Sequence, residues 1–371
     1  MRRLTPIVIL LLLSMPLIGL MIGIKPQAQE NRAQLTWPAA SLSALADGSY
    51  FSALGEVLTQ RLPLRKQAVD FKRWLWLDLL GERRFDRVVI GAENTLFLRP
   101  SLNAWCGWSQ PWTVARKANA QLPALLQDKP FLWVSVPDKF FVHGDLLPSH
   151  FQDWRACADQ RRRHFATAMK KTLGTHFIDL APVLRQRAAR SKNLLYFAED
   201  THWKPSVSLV LPRAVLARWL PGAWDRDHAR AGEEEWIASD LAQQLGLNHL
   251  HAVRRWHSER PGVSAPVMQT TERVKRMGIR RIRHTARQDV PMIPGITLII
   301  HDSFLLPVTA ALAPYFEEVI LVQWEDLDAP RFQRLLAEAD RVLLQSVDRV
   351  ASQRQQLGIP RLFAPEPPVR N

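Results

Sequence analysis

From residue 296 onward the chain alternates between short apolar runs and amphipathic stretches. Apolar runs occupy 296–300, 318–322 and 341–345, with helical patterns over 305–312 and 330–338 between them. A strand buried on both faces reads as an unbroken apolar run, and a helix returning over the sheet makes the next strand parallel to it. The same grammar governs the middle of the chain. Phe131-Leu132-Trp133-Val134-Ser135-Val136 is stopped by Pro137, and a helical pattern over 150–173 is closed by Gly174. Strand 176–178, helix 181–189, strand 194–197 and helix 206–220 follow. This alternation predicts an α/β fold with a parallel central sheet and helices on both faces. Ahead of it, 86–98 reads as a hairpin turning over Ala92-Glu93-Asn94.

Two regions fall outside the pattern. Residues 222–290 are rich in charge and poor in periodicity, and read as an insertion carrying one helix around 233–245. At the N-terminus, Arg2 and Arg3 precede a nearly uncharged run from Leu4 to Ile24, closed by Lys25. About 20 apolar residues suffice to cross a bilayer. Basic residues ahead of the run favour a cytoplasmic N-terminus with the remainder outside. Pro26-Gln27-Ala28 makes a poor cleavage site, and Pro6 and Pro16 make a poor core helix. The expectation is an uncleaved signal anchor over 1–25, a transmembrane helix. A tether and helical lead-in over 26–80 follows, with Phe51, Leu54, Val57 and Leu58 at helical spacing. The main domain then spans 81–371.

The chain has two cysteines, Cys106 and Cys157. Export would favour a disulfide between them, adding about 4 kcal/mol in the chain-entropy model. Two buried thiols are the alternative. The formal net charge of +14 admits an anionic partner outside the membrane, but the arginines are scattered, as solvated helix faces would have them. No aromatic-interleaved basic motif points to nucleic acid. No cofactor signature or metal-ligand set is evident. Trp105, Trp108 and Trp112 cluster around Cys106, where they suit either packing or sugar stacking.

Chemistry gathers in two blocks, Asp200-Thr201-His202-Trp203 and His301-Asp302-Ser303-Phe304, each just beyond an expected strand. A serine hydroxyl is a weak nucleophile that needs a base, and the base needs an orienting carboxylate. In extended backbone, residues two apart point the same way, so Asp200 can hold the His202 imidazole. Ser303 is expected to open a helix, whose free N–H groups would receive an oxyanion.

These blocks resemble the "DTHW" and "GDSF"-type motifs of the SGNH-hydrolase-like AlgX/AlgJ proteins of alginate O-acetylation. Residues 89–98 are similar to their "GxxGWLFL" hairpin, and Val136-Pro137-Asp138-Lys139 to their "PxK" strand end. Ser239-Asp240-Leu241 resembles "GDLA", and 346–350 the closing "xER" block. The resemblance covers roughly residues 80–355, in order. It implies a three-layer SGNH-hydrolase-like α/β fold, single-pass in the inner membrane, with the main domain in the periplasm. Carried over by position, Ser303 is the nucleophile, His202 the base and Asp200 its orienter. His301, Asp302, Trp203, Lys139 and Arg349 are the candidates for substrate or oxyanion contacts. A solvated amine is the alternative for Lys139, and a core carboxylate pair for Arg349.

The implied activity is O-acetyl transfer to an exopolysaccharide such as alginate, or acetyl ester hydrolysis, through an acetyl-serine. The implied partners are the polysaccharide, the membrane and a multi-pass membrane acyltransferase. Three departures motivate a second expectation, a catalytically degenerate polysaccharide-binding or scaffold subunit. His301 replaces the glycine before Asp-Ser, Lys204 and Val207 replace the asparagine and glycine after DTHW, and Asn94-Thr95 replace the hairpin Gly-Trp.

Overall fold

The computed structural model describes residues 48–61, 74–79, 87–106, 120–225, 229–247, 249–272 and 278–353, with a few isolated positions before 72. The anchor expected over 1–25 lies outside them except at Ser14 and Ile22, as do Trp108 and Trp112. No helix among the described residues is long and apolar enough to cross a membrane. There are two compact units, Met1–Phe85 with Ala242–His249, and Asp86–Leu241 with Leu250–Asn371. In the first, the spacing of Phe51, Leu54 and Val57 is realised as a helix, Ser49–Arg61. The second holds every strand of the described residues.

Its strands are β1 (Val88–Ile90), β2 (Leu96–Leu98), β3 (Phe131–Val136), β4 (Phe177–Asp179), β5 (Ala229–Ala238), β6 (Leu250–Ser258), β7 (Val267–Glu272), β8 (Ile279–Arg283), β9 (Ile293–His301), β10 (Phe316–Gln323) and β11 (Arg341–Val347). Seven of them form one sheet in the order β4-β3-β11-β9-β10-β8-β7. The first five are mutually parallel, β8 runs antiparallel to β10, and β7 at the far edge runs antiparallel to β8.

Alternate residues along the parallel strands feed two apolar cores. Phe131, Trp133, Leu298, Ile300, Val342 and Leu344 face one core, with Phe165 and Met169 of helix Gln152–Leu173 and Leu335 of helix Ala329–Glu338. Leu132, Val134, Ile299 and Leu343 face the other, with Leu184 of helix Ala181–Ala189 and Val215 of helix Val210–Trp219. Helices therefore cover both faces of the sheet, as the continuous apolar runs require. Each fully buried large side chain among them contributes about 1.5–3 kcal/mol over leaving it in water.

The sheet differs from the expected all-parallel one because the region 222–290 completes it. Ile279 faces one core and Ile282 the other, three residues apart among arginines, a spacing that shows no strand alternation. The helix expected around 233–245 is instead strand β5 up to Ala238, with helix only over Asp240–Gln244. Three successive glutamates favour helix locally, but pairing with β6 prevails and sets Glu234 and Glu235 against Arg254 and Arg255. The strand expected over 194–197 is reduced to one bridge, Tyr196 to Trp203. The helix expected over 206–220 is split into Pro205–Ser208 and Val210–Trp219.

The hairpin β1–β2 forms as read. Asn94, where the resembled motif carries glycine, has φ 55°, a left-handed conformation that asparagine tolerates better than most residues. Cys106 and Cys157 are paired, joining helix Arg99–Cys106 to helix Gln152–Leu173. Trp105 is buried against Phe141 and Phe165, so it packs the core beside this bridge.

Candidate active site

The parallel strands end together, and a site in an open α/β sheet lies beyond those carboxyl ends. His301 closes β9, in the middle of the sheet, and Ser303 follows in a turn. The turn is shaped by Asp302. Its carboxylate accepts from the backbone N–H of Phe304 (3.0 Å) and Val347 (2.7 Å) and from Gln345 Nε2 (3.0 Å). Asp302 is thus committed to the scaffold. Gln345 is buried in β11, and its Oε1 accepts in turn from the Asp302 N–H. A polar residue inside the apolar run 341–347 was the available sequence signal for this clasp.

Asp200, Thr201, His202 and Trp203 lie on the loop that leaves the Tyr196 bridge. Trp203 is fully buried, and its indole N–H donates to the Phe304 carbonyl at 3.0 Å. It therefore staples the two motif blocks together and presents no wall to a substrate. Lys139 is buried as well, with Nζ donating to the carbonyls of Leu96 (2.7 Å) and Ala198 (2.9 Å). It ties the hairpin to the loop, and is neither solvated nor turned to a substrate. Burial pushes its pKa down to about 7, against the pull of Asp200, Asp240 and Glu199.

On this frame His202 Nε2 lies 2.8 Å from Ser303 Oγ, and His202 Nδ1 lies 2.6 Å from Asp200 Oδ1. Asp200 also accepts from the N–H groups of His202 (2.8 Å) and Asp240 (2.9 Å). Burial works against the Asp200 charge, but the imidazole and these donors outweigh it and hold the carboxyl well below its ordinary range. For His202, burial pulls the pKa down, yet Asp200 and then Asp240 prevail and raise it above the usual value. The His202 side chain keeps 26% of its surface exposed, enough for the ring edge to meet a ligand.

Asp240 acquires a clear position. It accepts from the Thr201 N–H (2.8 Å) and the Thr201 hydroxyl, with Oδ2 3.9 Å from His202 Nδ1. Burial, and then the charge of Asp200, raise its pKa. Asp200, His202 and Asp240 do place three ligand atoms within 4.8 Å of one another. A cation there would have to displace the bond between Nδ1 and Asp200, on the side of the ring away from Ser303.

Arg349 bonds to Asp138, through Nη1 at 2.5 Å and through its backbone N–H at 2.9 Å, and its guanidinium lies 5.4 Å from the Phe304 ring. The carboxylate pair is therefore what the structure shows for Arg349. His301 is 1% exposed, with Nδ1 donating to the Asp302 carbonyl at 2.8 Å. It is therefore turned into the interior. Val207 is buried in the core.

Ser303 does not open a helix. The nearest helical turn is a 3-10 segment, Leu306–Val308, with Pro307 in its first turn. The expected helix over 305–312 is that segment followed by a single turn, Thr309–Leu312. The helix-dipole contribution is therefore absent. The Ser303 N–H nonetheless donates to no acceptor among the described residues.

No family model matches the chain, and no curated protein does. Among solved structures it is similar to PatB1 of Bacillus cereus carrying a sulfonyl adduct, with TM-score 0.51 and 11% identity over 72% of this chain and 96% of that one. AlgX of Pseudomonas aeruginosa aligns with TM-score 0.48 and 12% identity over 74% of this chain and 66% of that one. The O-acetyltransferase domain of Pseudomonas putida AlgJ aligns with TM-score 0.43 and 16% identity over 74% and 98%. The likeness to PatB1 is one of fold, a mixed α/β domain around a central sheet.

Proposed function

We propose that this chain is an SGNH-hydrolase-like O-acetyltransferase in which Ser303, His202 and Asp200 act as nucleophile, base and orienter. The observation that carries the reading is the continuous hydrogen-bonded line from Ser303 Oγ through the imidazole to Asp200. The resemblance of residues 200–203 and 301–304 to the motifs of the alginate O-acetylation proteins supports acetyl as the group transferred.

In the first half-reaction His202 Nε2 takes the Ser303 proton as Oγ attacks the acetyl carbonyl carbon. The tetrahedral oxyanion meets the Ser303 N–H. Collapse expels the donor's leaving group, protonated by His202, and leaves acetyl-Ser303. A sugar hydroxyl then gives its proton to His202 and attacks the acetyl carbon, which regenerates the serine and forms the product ester. With water as acceptor the same steps give acetate. Asp200 fixes the tautomer that presents a lone pair to Ser303 and steadies the imidazolium. The acceptor in this reading is an exopolysaccharide such as alginate. The chain is held at the inner membrane by residues 1–25, with its main domain in the periplasm and a multi-pass acyltransferase passing the acetyl group to it.

The test is acetyl transfer from 4-nitrophenyl acetate by the full chain. Release of nitrophenol is expected to fall by about 10³ or more in Ser303→Ala, and acetylated Ser303 should be recoverable by peptide mass spectrometry after an acid quench. A sulfonyl fluoride should label the same serine. Equal rates in the wild type and Ser303→Ala would remove the enzymatic reading and leave the scaffold one. Transfer to an added polysaccharide, against release of acetate, distinguishes transferase from esterase.

A further inference from the structure

One recess of the molecule has neither Ser303 nor His202 in its lining. It is a cavity of about 830 Å³ enclosed by β6, β8 and the segment from Leu306 to Pro314. Its apolar walls include Val263, Met268, Ile282 and Ala310, and four arginines line it (Arg230, Arg255, Arg260 and Arg280) against one carboxylate, Glu259.

The register of β8 explains how arginine comes to face a cavity. Successive side chains on a strand alternate between faces. Arg281 and Arg283 therefore share one face, where both bond to Glu318 and Arg281 also bonds to Glu338. Arg280 and Ile282 turn to the other, where His284 beyond the strand end joins them in lining the cavity. There Arg280 has no carboxylate partner among the described residues, and its Nε is buried with nothing to donate to. Burial and then the nearby charge of Arg255 weaken its hold on the proton. Arg260 is held in place by the carbonyls of Pro314 (2.8 Å) and Pro291 (2.7 Å) and lies over the Tyr315 ring, with no carboxylate partner among the described residues.

A second orphan lies in the same wall. His284 is 5% exposed, and its Nδ1 donates to the Ser264 carbonyl at 3.2 Å, yet its buried Nε2 meets no donor. Buried polar atoms are nearly always paired, and an unmatched guanidinium nitrogen beside other arginines is costly. A negative group in the cavity would supply the countercharge that the half-buried Arg280 guanidinium lacks, and a hydroxyl beside His284 would meet Nε2 after a small turn of the ring. The apolar remainder of the wall would cover the body of a ligand carrying both.

We propose that this cavity is a binding site, separate from Ser303, for an organic anion: a carboxylate or phosphate carried on an apolar, hydroxyl-bearing body. The proposal does not depend on the acetyltransferase reading.

The test is calorimetric titration of the full chain with 4-hydroxybenzoate, 4-hydroxyphenyl phosphate and neutral 4-hydroxybenzyl alcohol. Either anion is expected to bind at least about tenfold more tightly than the neutral compound, and the tighter one identifies the head group. Arg280→Gln should weaken that anion about tenfold or more. Ala310→Trp, a change at an exposed position on the cavity wall, should block it with the thermal midpoint unchanged. Ser303→Ala should bind as the wild type does. Equal binding of the neutral compound, no binding of either anion, or anion binding unaffected by Ala310→Trp would overturn the proposal. Loss of binding in Ser303→Ala would also overturn it, by merging the cavity with the candidate active site.

Discussion

The indole N–H of Trp203 and the carbonyl of Phe304, 101 residues apart in sequence, are joined by a buried 3.0 Å hydrogen bond. Each residue sits next to a member of the Ser303–His202 pair, so this bond couples the two segments that carry them. Phe304 adds to the join, its ring centroid 4.9 Å from that of His202.

Replacing Trp203 by Phe removes the donor and strands a buried carbonyl, at a cost of about 1–3 kcal/mol. Urea unfolding should report that loss. The ester-cleavage rate is expected to drop by about 10–10², with KM little changed, because positioning is impaired and binding is not. An unchanged kcat alongside the stability loss would leave Trp203 as a packing residue only.

The acid limb of the rate profile should follow His202. Its pKa is raised, so the neutral base forms only above the usual histidine range, and activity should rise with pH through that higher value. Asp200→Asn removes the carboxylate that stabilises the imidazolium. The limb should therefore move to lower pH, and the plateau should fall by about 10⁴ because the tautomer is no longer held. A limb that stays in place would mean another group titrates.

Arg162 ties together the ends of β3, β4 and β11. It bonds to Asp348 (2.5 Å) and Asp179 (2.7 Å), and Asp348 also accepts from the Ser135 hydroxyl. Even so paired, burial raises Asp348 to about 6. Arg162→Met leaves two buried carboxylates without a countercharge and should cost about 3–5 kcal/mol. Adding Asp348→Leu should recover part of this, which a merely steric effect of methionine would not allow.

Lys139 makes stability depend on alkaline pH. Its folded pKa is depressed to about 7 from 10.5. Between those values the unfolded chain binds a proton that the folded chain has released, so the Lys139 contribution to stability grows with pH and is lost as pH falls through about 7. The thermal midpoint of the wild type should therefore gain, from pH 7 to 9.5, relative to Lys139→Met. Parallel curves for the two proteins would show that Lys139 stays charged throughout.

Much of the fold was legible because burial on both faces leaves a local trace. Strands β3, β9, β10 and β11 appear as apolar runs wherever the sheet is central. The edge was not legible. Strand β8 needs only Ile279 and Ile282 to hold its place, and β5 takes its pairing from β6 in spite of a run of glutamates. Edge strands draw their stability from the neighbour they meet, and the neighbour is not encoded nearby.

The candidate site divides in the same way. The sequence by itself determined which residues are the candidates, Asp200, His202 and Ser303, because hydroxyl, imidazole and carboxylate are properties of side chains and a two-residue spacing is local geometry. Only the tertiary structure decided what surrounds them. It turned His301 inward, committed Asp302 to Gln345 and Val347, spent Lys139 on two carbonyls, set Arg349 on Asp138 and brought Asp240 beside Asp200. Polar groups that leave water take whichever partner lies within about 3 Å, and that partner is fixed by how distant strands come into register.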